Sequence, residues 1–182
     1  YNHTFAKKHE VGAMVGFEAL YHNYGNSSGR KSGASTDNLF ELNTYSKMVS
    51  IGGSHSDYAA ASVFGRLTYA YDSRYLAEVN LRYDGSSRFS RRSRWGLFPS
   101  VSAGWRISEE PWMKNSKVDN LKIRASWGKL GNNSIGNYDY VSTYTTGILY
   151  PIGSTMATGM VSTLSNDLLE WETTTSYDLG LD

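Results

Sequence analysis

The sequence has 182 residues, 40% of them hydrophobic, with 18 basic and 17 acidic side chains and no cysteine. A net charge near zero gives no electrostatic reason for nucleic-acid binding, and the missing cysteines exclude disulfide scaffolds, Cys-ligated zinc and thiol nucleophiles. No apolar run reaches the about 18 residues of a membrane helix, which leaves crossing by strands open, because alternation dilutes their apolar residues.

Alternation of period two recurs along the chain and predicts six strands. In the first, Val11, Ala13, Val15, Phe17, Ala19 and Tyr21 share a face against Gly12, Met14, Gly16, Glu18 and His22, with Leu20 the misfit. The second sets Val63, Leu67, Tyr69 and Tyr71 against Ser62, Arg66 and Thr68. Tyr75, Ala77, Val79, Leu81 and Tyr83 oppose Glu78, Asn80 and Arg82 in the third. The fourth runs from Leu97 to Ile107, with Pro99, Val101, Ala103 and Trp105 opposite Ser100, Ser102, Gly104 and Arg106. Leu121, Ile123, Ala125 and Trp127 oppose Lys122, Arg124 and Ser126 in the fifth. The last carries Trp171, Thr175, Tyr177, Leu179 and Leu181 against Glu170, Glu172, Ser176 and Asp178.

The connections are unequal. A Tyr-, Asn-, Ser- and Gly-rich stretch from Asn23 to Asp57 joins strands one and two, and another long one runs from Gly128 to Asp167. Only Asp72, Ser73 and Arg74 separate strands two and three. An Arg-rich loop (Asp84 to Arg94) and a turn (Ser108 to Asn120) complete the set. In an up-down meander the two long connections and the Arg-rich loop fall at one end and the tighter ones at the other. Short turns on one rim and long loops on the other characterise transmembrane β-barrels. The three-residue turn also fixes a register: Tyr71 opposite Tyr75, Leu67 opposite Val79, Thr68 opposite Glu78 and Phe64 opposite Arg82, which keeps like faces together.

Strand direction places Tyr69, Tyr71, Tyr75 and Trp105 near the tight rim and Tyr21, Tyr83, Trp95, Trp127 and Trp171 toward the other. These are the expected girdles at two bilayer interfaces. Glu18, Arg66, Glu78, Arg82, Arg106, Arg124, Glu170 and Asp178 fall on the polar face, expected to line a wet lumen. Cross-strand pairing is the favoured role for these charges, ahead of a solute pathway. Six strands are too few to close a barrel, for which about eight are needed, and an open sheet with one greasy face is unstable in water. The expectation is a piece of something larger, cut at Tyr1 and Asp182.

The residues themselves resemble the SusC/RagA family of TonB-linked outer-membrane transporters. The resemblance rests on Phe64-Gly65-Arg66-Leu67-Thr68-Tyr69, then Leu81-Arg82-Tyr83-Asp84-Gly85-Ser86-Ser87-Arg88-Phe89. It continues in Phe98-Pro99-Ser100-Val101-Ser102-Ala103-Gly104-Trp105-Arg106 with Glu110-Pro111-Trp112. Leu121-Lys122-Ile123-Arg124-Ala125-Ser126-Trp127-Gly128, Gly131-Asn132-Asn133 and Leu169-Glu170-Trp171-Glu172-Thr173-Thr174-Thr175 complete it, in family order over nearly the whole chain. What it implies is an all-β, antiparallel up-and-down segment, about six strands of a 22-stranded transmembrane barrel, spanning residues 1–182. The plug, TonB box and closing strand are then expected outside these residues. The family's function implies import of oligosaccharides or peptides across the bacterial outer membrane, driven by TonB, with a SusD-like lipoprotein as lid.

The remaining motifs are weaker. Arg88, Arg91, Arg92 and Arg94 could meet lipopolysaccharide or an acidic solute, though a solvated, charge-balanced loop is the commoner reading. Tyr24, Tyr45, Tyr138, Tyr140 and Tyr144 suit sugar, peptide or partner contact, and docking of the lid lipoprotein is preferred. Enzyme chemistry and cofactors are not expected: His3, His9, His22 and His55 lack metal-ligand spacing, and Glu170 and Glu172 share one strand instead of flanking a bond. Ser108 reads as an N-cap of a short helical turn. A soluble or surface-attached carbohydrate-binding module and a non-transporting barrel or adhesin are the alternatives.

Overall fold

The computed structural model describes residues 1–182 except Asp37 and Asn115. Its strands are β1 (Asn2–Phe5), β2 (His9–Ala34), β3 (Tyr45–Tyr71), β4 (Tyr75–Ser86), β5 (Trp95–Arg106), β6 (Lys122–Asn132), β7 (Thr143–Ile152), β8 (Thr155–Thr163) and β9 (Glu172–Leu181). Seven form one sheet in the order β1-β2-β3-β4-β5-β6-β9, while β7 and β8 make a separate hairpin. The six expected strands are all present. The seventh, β1, is too short for alternation to reveal; it pairs Phe5 with His9 across a three-residue turn.

That turn and the one between β3 and β4 share a conformation. Ala6 and Lys7, and likewise Asp72 and Ser73, have positive φ of 48°, 60°, 51° and 54°. Two successive left-handed residues reverse the chain in the shortest odd-length loop that keeps both strands' apolar faces together. The observed register pairs Tyr71 with Tyr75, Leu67 with Val79, Thr68 with Glu78 and Phe64 with Arg82, as the alternation requires.

The long connections differ from expectation. Most of Asn23 to Asp57 is strand, because β2 runs 26 residues, ending at Ala34, and β3 runs 27, beginning at Tyr45. Residues Tyr21–Tyr58 form a compact unit of their own, the second comprising Tyr1–Leu20 with Ala59–Asp182. Within Tyr21–Tyr58, Ser46 donates to the Gly33 carbonyl at 3.1 Å and Ser35 to that of Thr44 at 3.0 Å, tying the turn's base. The Gly128 to Asp167 stretch likewise begins inside β6 and contains the β7–β8 hairpin, whose reversal uses Gly153 at φ 63°. Gly147, at φ 79°, sits in the register shift between Thr146 and Ile148, a bulge position that suits glycine.

Strand lengths separate two classes. β4, β5, β6 and β9 have 12, 12, 11 and 10 residues, close to the about 9–11 that cross a bilayer. Among the described residues, only Phe89, Phe98 and Ile107 are buried hydrophobics. Val15, Phe17, Leu67, Leu97 and Leu179 are all exposed. The sheet therefore has no soluble-type core of its own: its apolar band faces outward and its other face is polar. The sandwich reading of the same alternation fails on that point, since the band stays exposed among the described residues.

Candidate functional site: the polar face and its two rims

The polar face is laced by ion pairs within and between strands. Arg82 of β4 donates to Glu18 of β2 at 2.9 Å, to Asp84 at 2.7 Å and to Ser62 of β3 at 3.1 Å. Its guanidinium carbon lies 5.3 Å from the centre of the Phe64 ring. Arg66 donates to Asn80 at 2.8 Å and stands 3.6 Å from Glu78, and Arg124 reaches Asp178 and Asp182 at 3.3 Å each. Arg106 points toward the β3–β4 turn, 3.5 Å from the Ser73 carbonyl. Arg66 and Arg124 thus tie adjacent strands through carboxylates, and Arg82 links β4 to Ser62 of β3 and, beyond it, to Glu18 of β2.

Glu170 departs from expectation. It precedes β9, which starts at Glu172, and is exposed outside the ladder. Glu172 accepts from Asn132 at 2.9 Å. The two carboxylates therefore do not share a strand face. Trp171 also escapes the alternation that put it on the apolar side. Its indole N–H donates to the Arg94 carbonyl at 3.2 Å, and its ring packs on Phe89 and Phe98 at 5.0 and 5.2 Å. Phe98 belongs to the polar-face set of β5, pairing with Arg82, so Trp171 joins the interior instead of the girdle. Backbone freedom just before a strand permits the rotation, and a ready aromatic pocket drives it.

The other rim aromatics form layered pairs. At the tight end Tyr71, Tyr75 and Trp105 stack with ring centres 6.3 Å apart in each step, and Tyr69 bonds His9 at 2.8 Å. At the opposite end Tyr83 stacks on Trp95 at 4.9 Å, and Trp95 covers Gly85, where a Cβ would come within 2.7 Å of the indole. Trp127 pairs with Val101 and so lies level with Val79 on the ladder, short of the Tyr83–Trp95 pair. Tyr21 lies on β2 within the Tyr21–Tyr58 unit, exposed.

A carboxylate that the motif reading overlooked organises the tight rim. Glu110, only 6% exposed, accepts from the Tyr75 hydroxyl at 2.6 Å, the Trp105 indole at 3.0 Å and Arg74 at 2.9 Å. Arg74 also bonds Asp72. Hydrogen bonds from Tyr75 first, then Trp105 and Arg74, hold the Glu110 carboxyl below the usual carboxylate range. The bonds to Asp72 and then Glu110 raise Arg74 above its ordinary value. Glu110 thereby ties the β5–β6 connection to the β3–β4 turn. Ser108 does not cap this segment: the 3₁₀ turn covers Ile107–Glu109, its N-cap is Arg106, and no side chain caps it.

At the other end the Arg-rich loop folds onto the wall. Phe89 is 0% exposed, and Arg88 donates to Asn137 at 2.9 Å and to the Asn133 carbonyl at 3.2 Å. Arg91 and Arg92 remain exposed. Of the loop tyrosines, Tyr24 and Tyr45 lie on β2 and β3 and Tyr144 on β7, all three on strands instead of loops. Tyr138 and Tyr140 do lie in the β6–β7 connection. Among the described residues no group of His, Asp and Glu could hold a metal.

The family model for TonB dependent receptor-like β-barrels matches residues 1–182. The TonB-dependent receptor SusC of Bacteroides thetaiotaomicron is 42% identical over 126 residues, 66% of this chain and 13% of that protein. A TonB-dependent receptor of Formosa agariphila is 34% identical over 185 residues, covering 100% of this chain and 18% of that protein. The chain thus spans less than a fifth of these relatives' length. The transporter in the structure of the RagAB peptide transporter superposes with a TM-score of 0.87 at 25% identity, over 100% of this chain and 20% of that one. With an antiparallel wall, an outward apolar band and a stapled polar face already in place, these likenesses settle its kind. The chain belongs to the TonB-dependent receptor-like β-barrel family of the bacterial outer membrane, in its SusC/RagA-like branch.

Proposed function

We propose that this chain forms part of the wall of an importer that carries oligosaccharides or peptides across the outer membrane, energised by TonB and lidded by a SusD-like lipoprotein. The observation that carries the reading is the two-faced sheet: a polar surface stapled by Arg82, Arg66 and Arg124 on one side and an exposed Val/Leu/Ala band on the other. A water-filled passage needs the first and lipid needs the second. The rim aromatics serve as bilayer anchors, and the charges keep the lumen wet and the strands in register. The wall does no chemistry and needs no cofactor.

The loop-end tyrosines, with exposed Tyr138 and Tyr144 among them, are assigned to lid docking. Relatives named for TonB dependence and a solved peptide transporter support the transport class. The test is uptake by cells carrying the intact receptor. Deleting the receptor should abolish uptake of one oligosaccharide or peptide class, and deleting TonB or a co-purifying lipoprotein should do the same. Unchanged uptake of both classes in the receptor deletion contradicts the proposal.

A further inference from the structure

A cavity of about 220 Å³ opens on the polar face toward the long-loop end. Glu18, Leu20, Arg82, Asp84, Asn133 and Trp171 line it. It is smaller than the about 300–1,000 Å³ of drug-sized pockets, so it accommodates one ring and not a chain. The wall chemistry is uneven in an informative way. Arg82 donates its Nε–H to Asp84 at 2.7 Å and its Nη2 to Glu18 and Ser62 at 2.9 and 3.1 Å. The guanidinium thus fixes two carboxylates at a set spacing, and their two negative charges outweigh its single positive one. Each carboxylate keeps lone pairs, and the triad carries a net charge of −1, from two acids and one base.

Trp171 has spent its only donor, on the Arg94 carbonyl at 3.2 Å. Phe89 and Phe98 pack against its ring at 5.0 and 5.2 Å and hold it in place, so what it offers the cavity is a rigid apolar surface. Leu20, the residue that breaks the polar pattern of β2, adds a second apolar wall. The complement of this surface has a flat C–H face and several hydroxyl donors around its edge, and no negative charge. An extended peptide presents one backbone N–H per residue at about 3.3 Å spacing and no such face.

We propose that Glu18, Arg82, Asp84, Asn133 and Trp171 form a subsite for a single neutral sugar ring on the lumen wall. The ring stacks on Trp171 and donates hydroxyls to Glu18 and Asp84, with the Asn133 amide available to either role. This rests on the transport reading, because it makes the cavity a stop along the solute's path.

The test uses the intact receptor in detergent and saturation-transfer NMR with methyl α-glucoside, methyl β-glucoside and methyl α-mannoside as probes. At least one should take saturation on its ring protons. The signal should fall about tenfold in Glu18→Gln, the loss of one charge-assisted hydrogen bond, and comparably in Trp171→Ala. Glu10→Gln, at the opposite rim, should leave it unchanged. Glu18→Gln guards against misfolding, because Glu18 is largely exposed and the change conserves shape. The proposal is overturned if no glycoside takes saturation, or if both variants bind as the wild type does. It is also overturned if the tripeptide Ala-Lys-Ala, and no glycoside, gives a signal that Glu18→Gln abolishes. Because binding is read at equilibrium without TonB, it can fail while the uptake test succeeds, and uptake can fail while the glycoside binds.

Discussion

Glu110 gathers a tyrosine, an indole and an arginine around one carboxylate, and its charge is what makes them converge. The hydrogen bonds favour the ionised form, so the folded-state pKa lies below the unfolded value of about 4.3. The stabilisation is complete above the unfolded value and is lost as pH falls through the folded one. Glu110→Gln should lower the unfolding temperature of the intact receptor at pH 7. The gap to wild type should narrow as the pH falls below the unfolded value and close once it has passed the folded one; a gap independent of pH would show that charge is not the cause. Glu110-Pro111-Trp112 was visible as a motif, yet its role was not, because the partners Tyr75 and Arg74 lie 35 and 36 residues away. Trp171 shows the opposite failure. Alternation assigned it a face, but it stands one residue outside β9 and turns to meet Phe98.

The elements follow the binary pattern most closely where strands are short and turns tight. The whole β3–β4 register was readable, because a three-residue turn admits only one pairing that keeps Leu67 with Val79 and Thr68 with Glu78. The extended halves of β2 and β3 were not, since Asn23, Asn26, Ser27, Ser28 and Gly29 have low strand propensity and show no apolar alternation. Val79, midway between Tyr75 and Tyr83 and 46% exposed on the apolar face, should cost about 2–4 kcal/mol when replaced by Arg. Ser102→Arg, on the polar face opposite Glu78, should cost no more than about 0.5 kcal/mol, with both read by urea unfolding of the receptor in lipid vesicles. Gly131 is held by the packing of Phe98: a Cβ there would overlap the ring. Gly131→Ala should cost about 1–3 kcal/mol in the same assay, and Gly131→Ala with Phe98→Leu should recover part of it.

At the scale of the molecule, these residues make a surface with two solvents and almost no interior. Apolar side chains that a soluble domain would bury, among them Val15, Leu67, Val101 and Leu179, stand outward, and the open sheet lies between β1 and β9. The central claim is that odd positions of β4 and β5 meet lipid and even ones meet water. The segment contains no cysteine, so single cysteines can be introduced one at a time into it. Spin labels at positions 76 to 82 and 98 to 104 of the intact receptor in nanodiscs would report collisions with oxygen and with a water-soluble nickel chelate. Oxygen accessibility should peak at Ala77, Val79, Leu81, Pro99, Val101 and Ala103, and nickel accessibility at Glu78, Asn80, Arg82, Ser100, Ser102 and Gly104. Loss of that period of two, or water accessibility at Val79 and Val101, would contradict a membrane wall.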